Sequence, residues 1–588
     1  YAAHALSDSL QHRRVNSAAR ARRDSPLTPD TQIFKLKYFH FILTFAEHPV
    51  RIGSYIIPFG YHNFFFTLRS PIMTRIVGTS ADDTMDGMAE GDRIWSLDGN
   101  DVVDGGAGDD FVDGGAGDDA LTSSSGFDEF TGGEGNDRLS FIGVGGAARG
   151  GTGVDTLVGD YAAISDAFLF DGMHGHAAFG DLSVKGNHLY FLDIERLSLT
   201  TGIGDDRIIA TGFSFVNVHT GAGDDRVETG IGDDQIYAGD GRDLLFGGGG
   251  DDFIHGGQGD DYVDGGNDDD RLEGEDGNDS LVGGRGNDRL DGGGGDDDVN
   301  GGDGNDSLTG GLGSDTVTGG AGDDYLSNSF AAGDILLGGD GNDTLSAGGE
   351  DTAYGGWSDL YGGAGDDRLH IYTDGSLGAL DGGEGFDRAS IALDDVPAGF
   401  VLDASRFGSI EEFNITVKSA YRGVHLSGGN GNDRLFCFDT YREGPSGNDV
   451  LNGRNGDDIL VGGSGADSLL GGDGNDSLSG EYHSDRLLGG AGADLLTGGS
   501  DADTFIWDEA SVRNDRSVDR ITDFPGGDGD VLLFRGFGGT EFRDFESFLA
   551  ASRDTPEGVY VSFDGDAHGI LIQNTLLADL SAADVLFA

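Results

Sequence analysis

Gly301-Gly302-Asp303-Gly304-Asn305-Asp306-Ser307-Leu308-Thr309 is one copy of a nine-residue sentence, G-G-x-G-x-D-x-U-x with U apolar. Gly247-Gly248-Gly249-Gly250-Asp251-Asp252-Phe253-Ile254-His255 is another. Through residues 220–327 the sixth-position aspartate returns at every ninth residue: Asp225, Asp234, Asp243, Asp252, Asp261, Asp270, Asp279, Asp288, Asp297, Asp306, Asp315 and Asp324. First-position glycines keep the same register at Gly247, Gly256, Gly265, Gly283, Gly292, Gly301, Gly310 and Gly319. Paired glycines permit φ > 0 and close backbone approach, so positions one to six read as a turn. The x-U-x triplet reads as a very short strand with one inward side chain. A single unit buries one apolar residue and cannot stand alone, whereas stacked units can. Two units then make one coil, strand, turn, strand, turn. Successive strands alternate between two parallel sheets, with the U side chains meeting between them.

Stacking such turns brings like carboxylates together along two edges, an arrangement that repels itself without counter-ions. Turn carbonyls and sixth-position carboxylates offer oxygen ligands in irregular geometry, which suits Ca2+ better than Mg2+. The chain has one cysteine, Cys437, and its 14 histidines do not cluster with thiolates, which argues against a structural zinc site. The 588 residues carry a formal net charge of −70 and include 110 glycines. Such acidity ordinarily signals disorder, but here the charges are in register. An acidic body of this kind excludes nucleic acid as a partner. One cysteine excludes an internal disulfide framework.

Outward from the central run, residues 219–387 form the main repeat block. Its register slips after Asp324, and Asp343, Asp367 and Asp387 carry the sentence on through it. A first block, 78–153, holds Asp83, Asp92, Asp101, Asp110, Asp119, Asp128 and Asp137, with clean copies opening at Gly105 and Gly114. The copies at Asp83, Asp92 and Asp128 have lost glycines, which predicts weaker metal sites there. A third block, 428–503, holds Asp433, Asp449, Asp458, Asp467, Asp476, Asp485, Asp494 and Asp503, with Gly462, Gly471 and Gly489 at first positions. Residues 154–218 and 388–427 read as metal-poor β-helical coils. Ile410-Glu411-Glu412-Phe413 in one parallels Ile194-Glu195-Arg196-Leu197 in the other. The segment 504–588 reads as longer strands that cap the solenoid's open end, since an exposed strand edge invites pairing with another chain.

Residues 1–77 differ: ten Arg and Lys against four Asp and Glu make this segment +6, leaving −76 for the rest. Its apolar runs are broken too often for a transmembrane anchor, and it lacks the layout of a secretory signal peptide. No H-E-x-x-H occurs, and no G-x-S-x-G sits in a strand-to-helix context, so neither a zinc protease nor a lipase is supported.

The nonapeptides and the ending together resemble the RTX (repeats-in-toxin) proteins, over roughly residues 78–588. The tail is similar to the C-terminal region of serralysin-type proteins: Gly498-Gly499-Ser500-Asp501-Ala502-Asp503-Thr504-Phe505, Asp519-Arg520-Ile521-Thr522-Asp523-Phe524 and Asp579–Ala588. The resemblance implies an all-β parallel β-roll that binds several Ca2+ ions and leaves the cell through a type I secretion exporter. It also implies that each ion lies between turns two nonapeptides apart, held by first- and third-position carbonyls and the sixth-position Asp. In the third block these are Gly462, Ser464 and Asp467 with Gly480, Tyr482 and Asp485. Gly465 is the turn glycine, and His483 departs from the pattern at the matching place. The expected product is a secreted, calcium-dependent structural or adhesive protein with no catalytic motif. Self-association, an extracellular protein that binds or modifies cell-surface or matrix polysaccharide, and the repeat part of a toxin or hydrolase with an upstream catalytic domain stay open as alternatives.

Overall fold

Wherever the nonapeptide holds, its eighth residue is buried, the second residue of a strand. Leu290, Val299, Leu308 and Val317 are each at most 1% exposed, and their neighbours on either side face outward. That alternation is the two-residue period of a strand. The strands are longer than the expected triplet. Arg289–Gly294, Asp298–Asp303, Ser307–Leu312 and Thr316–Ala321 each run six residues, through both glycines and the third position. Backbones without Cβ can enter the ladder, so Gly293 lies opposite Gly311 and Gly302 opposite Gly320. The turn shrinks to positions four to six.

The computed structural model describes residues 73–588 apart from 144, 166, 172–179, 185–186, 329–332, 349–357, 395, 398, 419–422, 438–446, 510–515, 525–528, 538–541 and 564–567. These residues fall within one compact unit, Ser70–Ala588. The expectations for the basic segment 1–77 lie outside the described residues except at Met73–Val77. Among the described residues no helix is long and apolar enough to cross a membrane.

Pairing is parallel and skips one strand. Arg289 sits opposite Ser307 and Asp298 opposite Thr316, two nonapeptides on in each case. Two ladders result, and the eighth-position side chains of both meet in a single apolar column. The protein is therefore an all-β parallel β-roll solenoid built from nonapeptide repeats.

The regular stack is interrupted twice. After Gly146–Thr152 one ladder continues in parallel to Asn187–Leu192, makes two antiparallel pairings, to Gly180–Val184 and from there to Leu169–Asp171, and resumes in parallel at Arg207–Ile209. The facing ladder continues directly, through Thr156–Asp160, Arg196–Thr200 and Phe215–Ala222. Extra backbone on one side widens the interior, and Phe170, Phe191 and Phe213 fill it with ring centroids 5.4–5.9 Å apart. At the second interruption one ladder ends at Leu380–Glu384, and an eight-stranded ladder starts at Val401–Asp403. Opposite it, Arg388–Leu393, Glu412–Val417 and Arg434–Cys437 continue as one parallel ladder, the last offset by two residues so that Arg434 faces Asn414.

At the C-terminal end Thr504–Asp508, Val531–Arg535 and Val585–Phe587 extend one ladder, and Val518–Ile521 and Gly569–Gln573 extend the other. A short helix, Phe545–Ala551, and the antiparallel strands Ser552–Thr555 and Gly558–Ser562 close the end. Phe534 sits at the centre of this cap, against Trp507, Phe537, Phe542, Phe548, Phe563 and Phe587.

Candidate metal centre

Each sixth-position aspartate uses its two oxygens differently. Oδ1 accepts the backbone N–H of the aspartate one coil earlier. Asp261 donates to Asp279, Asp279 to Asp297 and Asp288 to Asp306, all at 2.8 Å. Oδ2 lies against the first-position glycine of its own turn. At Asp252, Asp261, Asp270, Asp279, Asp288, Asp297 and Asp306 this oxygen is buried without a hydrogen-bond partner. A buried carboxylate oxygen with nothing to bond is costly, and a column of them more so. Burial pushes Asp270, Asp458 and Asp485 up to about 8, and Asp252, Asp261 and Asp297 up to about 7. The N–H received by Oδ1 opposes the rise, and neighbouring carboxylates add to it.

The glycines divide into two kinds. Gly293 and Gly295, at second and fourth positions, have φ of 103° and 146°, where an L side chain is strained. Gly292, at the first position, is not in that region; what it supplies is space. A Cβ built on Gly274 falls 2.5 Å from Asp279 Oδ2 and 2.5 Å from the Gly292 carbonyl oxygen. A Cβ on Gly292 falls 2.5 Å from Asp297 Oδ2 and 2.5 Å from the Gly310 carbonyl oxygen. Carbon clashes at that distance, whereas Ca2+ bonds oxygen at about 2.3–2.6 Å. Gly247, Gly274, Gly283, Gly292, Gly301 and Gly319 thus each keep open a cradle between the carboxylate of their own turn and a carbonyl of the next coil. Third-position carbonyls line the same turns. Gly294 and Leu312 each accept one N–H, from Gly277 at 2.8 Å and Gly295 at 2.7 Å, and a carbonyl oxygen has a second lone pair to offer. An all-oxygen donor set, orphaned anionic oxygens and a gap of this size fit a hard divalent cation.

Every aspartate assigned to a site from the sequence, Asp101 to Asp503, takes part in the coil-to-coil stitch. In the first block Asp101, Asp110 and Asp119 donate to Asp119, Asp128 and Asp137. In the third, Asp449, Asp458, Asp467 and Asp476 donate to Asp467, Asp476, Asp485 and Asp494. Across the register slips the stitch holds from Asp324 to Asp343, Asp343 to Asp367 and Asp367 to Asp387. The turn at Gly480 keeps its shape although Glu481 and His483 stand at φ of 79° and 77°.

Sequence reasoning missed several members. Asp155 accepts from Asp137 at 2.8 Å, and Gly150-Gly151-Thr152-Gly153-Val154-Asp155 carries the full sentence. Glu195 and Glu411 take the aspartate's place, accepting the N–H of Asp155 and Asp387 through Oε2 at 2.8 Å each. Asp519 and Asp530 carry the stitch into the cap, accepting from Asp494 at 3.1 Å and Asp503 at 3.0 Å. A second, exposed stitch runs along the fifth positions in the opposite direction: Asp296 N–H donates to Asn278 Oδ1 at 2.8 Å, and Asn305 N–H to Asn287 Oδ1 at 3.0 Å. The recurrent Asp or Asn at that position was its signal.

On an outer face His255, Glu273 and Glu275 converge. His255 Nε2 lies 3.2 Å from Glu275 and Arg271 pairs with Glu273, so these side chains already engage one another on the surface.

A family profile described as RTX calcium-binding nonapeptide repeat (4 copies) matches residues 77–112, 113–141, 219–254, 237–272, 273–308, 300–328, 330–359, 358–370, 444–478 and 479–506. Residues 142–218 and 371–443, between matched stretches, contain the inserted antiparallel strands and the change of ladder. No curated protein matches the chain.

Proposed function

The repeats of this chain belong to the RTX calcium-binding nonapeptide family, and on that premise we propose that the glycine-lined cradles hold calcium and that the protein is a secreted structural or adhesive repeat protein which folds on meeting calcium outside the cell. The observation that carries the reading is the column of buried, unpartnered Oδ2 atoms, which in turns such as those of Gly247, Gly274, Gly283, Gly292 and Gly301 face a carbonyl across a space that the first-position glycine leaves free. Calcium supplies the positive charge and the oxygen coordination that these atoms lack. Ligand binding to the folded state alone becomes folding free energy. Extracellular calcium modules bind at about 10⁻⁴–10⁻³ M, so the chain stays open where calcium is scarce.

The open chain is the form a type I exporter would thread. The C-terminal strand Val585–Phe587 is paired with Val531–Arg535 in the folded cap, so the exporter would read the tail before folding. The test is a calcium titration followed by circular dichroism, with magnesium as control. A cooperative gain of β signal with calcium alone is expected. The same spectrum in excess chelator as in millimolar calcium rules the reading out.

A second reading, binding of an acidic extracellular polysaccharide, is favoured by one cleft of about 490 Å³ at the second interruption. There the pairing shifts register, Arg388 opposing Glu412 but Arg434 opposing Asn414. The notch exposes Arg368, His370, Asn414 and Arg434, donors suited to carboxylates and hydroxyls, beside Glu412 and Asp457, with Arg388 paired to Glu412 at 2.7 Å. Retention on immobilised polyuronate that is lost in the double variant Arg368→Ala, Arg434→Ala would support it. No retention of the calcium-loaded protein removes it.

A further inference from the structure

Several turns of the ladder have no glycine at the first position, and there a side chain grows from the point at which a cation would have to sit. Asn328 is fully buried; its amide N–H donates to Asp315 Oδ2 at 2.8 Å while its Oδ1 accepts the Gly311 N–H at 3.1 Å. A Cβ on Gly310 would meet that amide nitrogen at 2.9 Å, which places the amide inside the cradle of the 310–315 turn. The Ser123 hydroxyl, also fully buried, donates to Asp128 Oδ2. Thr201, Thr220 and Thr229 reach across to the next coil, donating to the carbonyls of Thr220 at 2.9 Å, Ala238 at 2.8 Å and Gly247 at 2.6 Å. The carbonyls of Ala238 and Gly247 belong to first positions, the same class of oxygen that faces the open cradles.

We propose that these side chains are built-in substitutes for calcium, and that the run Thr201, Thr220, Thr229 makes the coils between residues 201 and 247 a metal-independent brace between two separately loading calcium blocks. The inference rests on the calcium reading above and goes beyond it, because it assigns which cradles stay closed to metal. Two points carry it. The Cβ of a first-position residue occupies the position 2.5 Å from both the carboxylate and the carbonyl oxygen, as at Gly274 and Gly292, so ion and side chain exclude each other. Asn328 and Ser123 also donate a hydrogen to the carboxylate Oδ2 itself, and the three threonines donate to the facing carbonyl, while Oδ2 of Asp206, Asp225 and Asp243 keeps no hydrogen-bond partner. Asp225, Asp234 and Asp243 accordingly keep their stitches, to Asp243, Asp252 and Asp261, without serving as calcium ligands. The turn ending at Asp243 has Ala238 at its first position, a fully buried methyl in the same place.

The test uses the full chain, calcium alone as probe, and stoichiometry by calorimetry with native mass spectrometry. Asn328→Gly opens one cradle and is expected to bind one calcium more than the parent. Gly292→Asn closes one and is expected to bind one fewer, with an unchanged calcium-saturated circular dichroism spectrum. Hydrogen exchange in chelator is expected to leave residues 201–247 more protected than 256–324. A parent that binds no calcium overturns the functional proposal itself. A parent that binds calcium, with the same count in both variants and uniform exchange, overturns this inference alone.

Discussion

Gly292 and Gly293 stand side by side for different reasons, and substitution separates them. Ala at Gly292 meets no backbone strain but puts a methyl between Asp297 Oδ2 and the Gly310 carbonyl. Gly292→Ala is therefore expected to bind one calcium fewer by calorimetry while keeping its saturated spectrum. Ala at Gly293 must adopt φ near 103°, a conformation that costs about 1–2 kcal/mol, and its methyl also clashes with the Glu275 carbonyl oxygen of the previous coil, outside the cradle. Gly293→Ala is expected to need more calcium for half-folding while its count stays the same. The same carboxylates give a pH dependence of opposite sign with and without metal. Burial raises Asp270 to about 8 and Asp297 to about 7 in the metal-free fold, above the unfolded value of 3.8. A raised folded pKa contributes stability that is complete below the unfolded pKa and lost as pH rises through the folded one. The metal-free chain should thus gain β signal as pH falls from about 8 to about 4. The calcium-loaded chain should release calcium over the same range, because protons compete for Oδ2. Circular dichroism and a calcium electrode across a pH series check both halves.

At the level of the element, the apolar eighth position is what the strands share. Leu308 is fully buried between two ladders, and Leu308→Ala should cost about 2–5 kcal/mol, read as a shift in the calcium midpoint. Period two around Leu308 and period nine along the chain suffice to place the strands, their parallel pairing and the core column. Other features are written in residues whose meaning depends on their neighbours in space. Gly311 and Gly320 read as turn residues, yet they lie in strands because an equally bare glycine faces each one. Glu195 and Glu411 look like breaks in the aspartate register. One further methylene lets each carboxylate reach the same N–H from a shifted backbone. The antiparallel detour at 169–192 has no period of its own, so nothing local announces it. Thr220 and Thr229 look like lost glycines in otherwise regular turns. Only their contacts with Ala238 and Gly247 show side chains standing in the cradles. Asp155 is a different case, since its turn is fully legible and simply follows an irregular strand.

Taken whole, the described unit is a stack with two unlike ends. Every coil offers backbone N–H groups toward the C-terminal side and aspartate Oδ1 atoms toward the N-terminal side. At the C-terminal side Asp519 and Asp530 supply the last acceptors, and the cluster around Phe534 buries the column's end. Phe534→Ala removes the ring on which this cluster converges and should cost about 3–5 kcal/mol. Its expected signature is loss of cap protection in hydrogen exchange before the coils of 256–324 open. The coil-to-coil stitch also has a mechanical meaning. Each coil advances the stack by about 4.8 Å, the spacing of neighbouring strands. The two nonapeptides inside it, drawn out straight, reach about 60 Å. A tether attached at the cap would therefore let out slack in clicks, equal wherever the coil is two nonapeptides long, each more than ten times the height it had occupied. Chelating calcium should soften the clicks without changing their length, and the brace at 201–247 should be where the unreeling pauses.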